Sequence, residues 1–88
     1  MSEHRERIKD RIRLSIQQFK DKLINFNDLG SSIQGNISAL DNLDRLVENA
    51  VIKLCGRLEI IHYTVDSDKE HQAMLDEISK FEPYIDRI

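Results

Sequence analysis

Residues 40–65 read LDNLDRLVENAVIKLCGRLEIIHYTV, and this stretch decides the fold. Its apolar residues recur every three or four positions, which is the spacing of one face of an α-helix. The members of this row are Leu40, Leu43, Val47, Ala50, Val51, Leu54, Leu58, Ile61 and Val65. Ser38 and Asp41 offer caps for its start, and no breaker apart from Gly56 appears before Asp66. The pattern therefore predicts one helix of about 40 Å, the longest of the fold.

The same stretch carries a second apolar row, formed by Ile52, Gly56 and Ile60 at intervals of four residues, with Tyr63 beside it. A helix with two apolar faces either lies at the centre of its bundle or meets a partner. Gly56 has no side chain and would let another backbone come close. We therefore expect Ile52, Gly56 and Ile60 to face a partner or a second copy of the chain.

The segment before this stretch predicts a long helix followed by a short one. The apolar row of the long helix is Ile8, Ile12, Ile16, Phe19, Leu23 and Phe26. It places the first helix from about residue 3 to residue 25, with Ser2 as its cap. Asn27 then caps a short second helix. That helix is expected to end at residues 35–36, because glycine adopts the left-handed conformation without penalty.

The segment after the stretch predicts a fourth helix. Ser67 and Glu70 have the spacing of a capping box, which opens a helix. The core side of this helix is formed by Met74, Leu75, Ile78, Phe81, Ile85 and Ile88. Pro83 lacks a backbone donor and is expected to end or kink the helix near Glu82. Residues 1–88 are therefore predicted to form one all-α domain, an antiparallel four-helix bundle ordered long, short, long, medium, with short turns.

Composition argues against several kinds of protein. Cys55 is the single cysteine, which allows no intrachain disulfide, and its apolar neighbours predict a small core residue. Glu59 and His62 show once the Glu-x-x-His spacing that di-metal bundles use twice, so we expect no metal and no cofactor. No apolar run approaches the roughly 18 residues that cross a membrane, and the first residues lack the apolar core of a signal peptide. A reducing, cytoplasmic setting is therefore expected.

The charge of the chain is unevenly distributed around a net value of −3. Residues 1–24 hold seven Lys or Arg and four Asp or Glu, whereas residues 25–88 hold six and twelve. Most of the acidic excess lies after residue 63. An acidic half repels nucleic acid and suits a basic protein partner. We therefore expect a protein partner, and we expect neither a nucleic acid nor a membrane.

In its length, its helix order and its acidic third and fourth helices, the chain resembles small helical bacterial immunity proteins. These include the colicin D-like and contact-dependent inhibition types. The resemblance implies an inhibitor whose carboxylates take the place of RNA phosphates in the basic cleft of a nuclease toxin. The partner contacts that it implies are Tyr63, Asp66, Asp68, Glu70, Asp76 and Glu77.

Arg57 and His62 form a second pattern with a chemical meaning. The run Arg57-Leu-Glu-Ile-Ile-His62 resembles the Arg-x4-His motif of HEPN-type helical ribonucleases, which lies late on a long helix. That resemblance implies RNA cleavage by Arg57 and His62 at a dimer interface, or a role in a toxin–antitoxin pair. A third interpretation is a structural or regulatory homodimer that forms through Ile52, Gly56 and Ile60.

Overall fold

The computed structural model describes residues 2–88, except for the side chain of Ser2, and these residues form four α-helices. The helices are α1 (Ser2–Lys20), α2 (Phe26–Ser38), α3 (Arg45–Thr64) and α4 (Ser67–Ile85). α1 packs mainly on α2 and α3 mainly on α4, while contacts between α2 and α3 and between α1 and α4 close the ring. The predicted all-α four-helix bundle is confirmed. The expected cap, the side chain of Ser2, lies outside the described residues.

The core runs along the axis of the bundle and takes its residues from all four helices. Its buried side chains are Ile8, Ile12, Ile16, Phe19, Leu29, Ile33, Val47, Val51, Leu54, Leu58, Ile61, Met74, Ile78, Phe81, Ile85 and Ile88. Each aliphatic side chain of this kind contributes about 1.5–3 kcal/mol when it leaves water. Apart from Leu29 and Ile33 of α2, these residues belong to the apolar rows given above, so helical spacing predicted most of the core.

The first helix ends five residues earlier than its apolar row predicts. Lys22 has φ 62°, in the left-handed region. The N–H of Leu23 donates to the carbonyl of Gln18 over 2.8 Å, and the N–H of Lys22 donates to the carbonyl of Phe19 over 3.0 Å. This is a Schellman motif, which closes a helix by satisfying its last carbonyls. Leu23 therefore lies outside the helix and no longer follows its apolar row. It is 73% exposed, so the prediction that it belongs to the core is wrong.

The second helix begins before the predicted cap, Asn27, and ends after the predicted glycine. Asn25 Oδ1 accepts a hydrogen bond from the N–H of Asp28 over 2.8 Å, and the Asp28 carboxylate accepts one from the N–H of Asn25 over 3.3 Å. This reciprocal pair starts α2 at Phe26. Gly35 does not adopt the left-handed conformation that would end a helix, since no glycine in the described residues has a positive φ. The helix therefore continues through Gly35 to Ser38.

The third helix is shorter than predicted. It contains 20 residues, which corresponds to about 30 Å rather than 40 Å. Ser38 belongs to α2, where its hydroxyl donates to the carbonyl of Gly35 over 2.9 Å. Asn42 has φ 56° and keeps the connection out of a helix. The N-cap is Asp44, whose Oδ1 accepts from the N–H of Leu46 over 2.9 Å.

The fourth helix differs from the prediction at both ends. Its N-cap is Asp66, and the capping box expected from Ser67 and Glu70 does not form. At the other end α4 continues through Pro83 to Ile85, which makes it as long as α1, with 19 residues in each. Pro83 cannot donate a hydrogen bond to the carbonyl of Ser79, four residues earlier, but Ser79 is exposed and its carbonyl can bond to water instead. Of the two outcomes expected near residue 82, an end and a kink, the end is wrong, because the helix continues to Ile85.

Candidate functional site

The outward face of α3 carries two exposed isoleucines. Ile52 is 69% exposed and Ile60 is 49% exposed, although both lie within a well-formed helix. The core residues of α3 occupy the opposite side, so the row of Ile52, Gly56 and Ile60 faces away from the bundle. The bundle therefore leaves the second apolar row of the sequence open to solvent. We call this set the Gly56 row.

Charged side chains of opposite sign flank the Gly56 row. Lys53 and Glu59 are both exposed, and neither forms an ion pair with another described residue. Lys53 precedes Gly56 by three residues and Glu59 follows it by three residues. The sequence pattern drew attention to Glu59 only for its spacing from His62, and not to Lys53, because their position beside the row matters only once the direction of the row is known.

The turn between α3 and α4 presents Tyr63, Asp66 and Asp68 together. Tyr63 is 78% exposed, the highest value among the large hydrophobic side chains of the described residues. Asp66 caps the backbone of α4, but its side chain accepts no capping hydrogen bond. Asp66 and Asp68 are both exposed, and neither takes part in an ion pair within residues 2–88. Within six residues of sequence the chain thus exposes a tyrosine and two carboxylates that have no ion pair among the described residues.

The other carboxylates of the predicted contact set are more engaged. Glu70 Oε2 lies 3.2 Å from Nδ1 of His62. Glu77 lies 3.6 Å from the Arg57 guanidinium and 3.0 Å from the ammonium of a lysine one turn later in α4. Asp76 accepts a hydrogen bond from a neighbouring glutamine of its own helix over 3.0 Å. Glu70 and Glu77 therefore face α3, whereas Asp76 points away from the bundle.

Part of the acidic excess neutralises the basic first helix. Arg13 lies 2.8 Å from Asp86, and Lys20 lies 3.5 Å from Glu82. These pairs join α1 to α4 across the bundle. Some of the positive charge of the first helix is therefore neutralised by carboxylates from the C-terminal part of the chain. Asp66 and Asp68, where α4 begins, take no part in these ion pairs.

The side chains of Arg57 and His62 do not come together at one site within the chain. Five residues apart on a helix, they are separated by about 140° around its axis. Arg57 pairs with Glu77 of α4, and His62 pairs with Glu70 at the end of the bundle. Each basic side chain thus has a carboxylate of its own. Neither lies on the Gly56 row.

His62 lines an open cleft of about 400 Å³ at the end of the bundle where α2 and α4 begin. The ring of Phe26 lies 4.6 Å from the ring of His62, and the ring of Phe19 lies 5.0 Å from that of His71. Phe26, His62 and His71 belong to three different helices, and the fold brings them to the same cleft. Within the described part of the chain, no group of three or more His, Cys, Asp or Glu residues is placed to hold a metal ion.

Cys55, which was expected in the core, is half-buried and packs against the core at the groove between α2 and α3. Burial raises the pKa of the Cys55 thiol. A hydrogen bond with Gln34 acts in the opposite direction, and the nearby charge of Glu59 raises the pKa further. The thiol is therefore mostly protonated at neutral pH and is a weak nucleophile.

The far end of the bundle is held by two arginines. Arg87 donates to Asp44 from Nε over 3.2 Å and from Nη2 over 2.8 Å. Arg5 donates to the carbonyl of Ile88 over 3.1 Å and to that of Asp41 over 2.8 Å. The bonds from Arg87 hold the pKa of Asp44 below its ordinary value, with a further contribution from the helix N–H that Asp44 caps. This end is occupied by structural contacts.

Comparison with protein-family models, with curated proteins and with solved structures found no match to this chain. Among the helices of residues 2–88, none combines the length and the apolar character needed to cross a bilayer.

Proposed function

We propose that this chain is a non-enzymatic binding protein whose partner is a basic protein. In its most concrete form it is a bacterial immunity protein that neutralises a nuclease toxin in the cytoplasm. The observation that carries the proposal is the exposed Tyr63 beside the uncompensated Asp66 and Asp68. Exposed aromatic side chains are the most common anchors of protein interfaces.

The proposed mechanism is occlusion of a basic cleft. Asp66 and Asp68 occupy the positions of two phosphates of the RNA substrate, and Tyr63 packs against the wall of the cleft. Asp76 extends the acidic surface along α4. Opposite potentials on the two proteins accelerate their encounter and favour this partner over others. Association is therefore expected to slow as the salt concentration rises.

The proposal is tested by co-expressing the chain with the proteins encoded by its neighbouring genes. Growth rescue and measured affinity for the protein that inhibits growth are the two readouts. We expect the double substitution Asp66→Asn and Asp68→Asn to slow association by about tenfold or more, and Tyr63→Ala to speed dissociation. Asp41→Asn, an exposed carboxylate at the far end of the bundle, is the matched control. The absence of rescue by the wild-type chain would reject the immunity role, and unchanged binding by the variants would reject this surface.

A second candidate function, an RNA-cleaving enzyme of the HEPN type, is favoured by the environment of His62. The contact of Nδ1 with Glu70 fixes the ring of His62, and Nε2 forms no hydrogen bond with another described residue. A carboxylate that holds one ring nitrogen while the other is free is the arrangement of an oriented general base. This proposal expects cleavage of RNA that is lost in His62→Ala and in Arg57→Ala, while His4→Ala, at the far end of the bundle, retains it. A folded dimer that does not cleave RNA at high protein concentration would reject this function.

A further inference from the structure

Gly56 lies in the middle of α3, where glycine destabilises the helix and no contact within the bundle requires it. Glycine is a poorer helix former than alanine because it loses more backbone freedom on folding. Apart from the adjacent residues and the nearby backbone of α3 itself, no atom lies within 4 Å of the position that a Cβ would take at Gly56. Gly56 also does not adopt a positive φ. Nothing within the described chain therefore requires the absence of a side chain at this position.

Gly56 differs from the other open glycine of the fold in its surroundings. Gly35 of α2 is equally open. Its neighbours four residues away are Ser31 and Ala39, whereas Gly56 lies between the exposed Ile52 and Ile60. Two large apolar side chains with a gap between them form a surface into which a second helix fits closely.

We propose that the Gly56 row binds a second copy of the same chain, with the two α3 helices crossing at Gly56. Residues four apart form a ridge inclined by about 26° to the helix axis, and two such ridges that align cross at about 50°. With Gly56 facing Gly56, the backbones come closer than the usual separation of about 8–10 Å. Ile52 and Ile60 then meet their counterparts on either side of the crossing.

The charges beside the row identify a second copy as the occupant and set its direction. Lys53 and Glu59 lie on opposite sides of the ridge, at equal distances along the chain from Gly56. When the two ridges run in the same direction around a two-fold axis, Lys53 of each copy comes opposite Glu59 of the other. When the two ridges run in opposite directions, Lys53 of one copy comes opposite Lys53 of the other, and Glu59 comes opposite Glu59. The surface is therefore self-complementary in the first arrangement, as a symmetric dimer requires.

The dimer leaves the two carboxylates of the proposed toxin-binding turn available, since Asp66 and Asp68 lie past the end of α3. Tyr63 follows Glu59 by one helical turn and lies beside the Gly56 row. The inference thus does not depend on the proposed function. Substitutions at residues 66 and 68 are expected to leave dimerisation unchanged, while Gly56→Ala is expected to leave binding at the turn unchanged.

The first test compares Gly56→Ala with Gly35→Ala by sedimentation equilibrium from about 1 µM to about 1 mM and by thermal unfolding at the lowest concentration. Both variants are expected to raise the unfolding midpoint by about 4–8 °C, since alanine favours the helix and meets no atom of its own chain. Only Gly56→Ala is expected to weaken dimerisation, by about tenfold or more. A wild-type chain that remains monomeric throughout this range, or equal dimerisation of both variants, would overturn the proposal.

The second test reverses the flanking charges. Lys53→Glu and Glu59→Lys are each expected to weaken dimerisation several-fold, because each places two like-charged pairs in the symmetric interface. An equimolar mixture of the two variants is expected to recover dimers, since every flanking pair is then attractive. The mixture is measured at low and at high salt, and its advantage should shrink at high salt. Failure of the mixture to exceed either variant alone would overturn the paired arrangement.

Discussion

Replacement of Lys22 by glycine is expected to stabilise the protein. Lys22 adopts φ 62° where α1 is closed. In this conformation the Cβ approaches a carbonyl oxygen, which costs about 1–2 kcal/mol for a residue with a side chain. Glycine avoids that cost. It also increases the conformational freedom of the unfolded chain, which lowers the stability by about 0.4–1 kcal/mol. The net gain is about 1 kcal/mol, or about 4–8 °C in the unfolding midpoint of a domain of this size.

The assay is unfolding by heat and by urea, followed by circular dichroism, with the urea dependence compared among variants. Lys22→Ala removes the same charge and keeps the strained conformation, so its stability should stay within about 0.5 kcal/mol of the wild type. Lys20→Gly places glycine in the last turn of α1 and should lower the stability by up to about 1 kcal/mol. If Lys22→Gly is no more stable than Lys22→Ala, the left-handed conformation carries no such cost and the reasoning is refuted.

Three further predictions concern other contacts of the fold. Ser15 is buried and hydrogen-bonded to the hydroxyl of Ser32, so Ser32→Ala should cost about 1–3 kcal/mol by urea unfolding. Adding Ser15→Ala should recover part of that loss, and a purely additive double variant would contradict the pairing. The pKa of Asp44 is lowered in the folded state, chiefly by its hydrogen bond with Arg87, so Asp44→Asn should be less stable than the wild type at pH 7. This deficit should disappear as the pH falls through the folded-state pKa, and a deficit independent of pH would argue against it. Burial raises the pKa of Cys55, so its reaction with a thiol reagent at neutral pH should be slower in the native protein than in urea; equal rates would contradict this.

The apolar spacing predicted the helices better than it predicted their ends. Val47 and Ile61 belong to one row and are both buried, because burial follows from the period of the helix. Leu23 fits its row equally well and is nevertheless exposed. The chain ends α1 at a lysine rather than at a glycine, and no residue type marks that position. Helix ends depend on competing caps, whose energies differ by only about 1 kcal/mol.

The candidate site was predicted in the same uneven way. Ile52 and Ile60 were expected to form a second apolar face, and both are exposed. Asp66 and Glu70 were expected to act alike as partner contacts. The fold places Glu70 against His62 and leaves Asp66 without a cation. The difference depends on the angle at which α4 leaves the turn. That angle cannot be read from the spacing of carboxylates along the chain.

The sequence by itself determined the number of helices and nearly all of the core, since both follow from a repeat of about 3.6 residues within each segment. Only the tertiary structure decided which charges are compensated and which surfaces stay open. Arg57 could pair with any nearby carboxylate until the packing of α3 on α4 placed Glu77 within reach. The sequence placed Gly56 on a second apolar face, but only the packed bundle shows that no side chain of the chain lies above it. Pairing and exposure depend on distances between segments, and those distances exist only after the helices have packed.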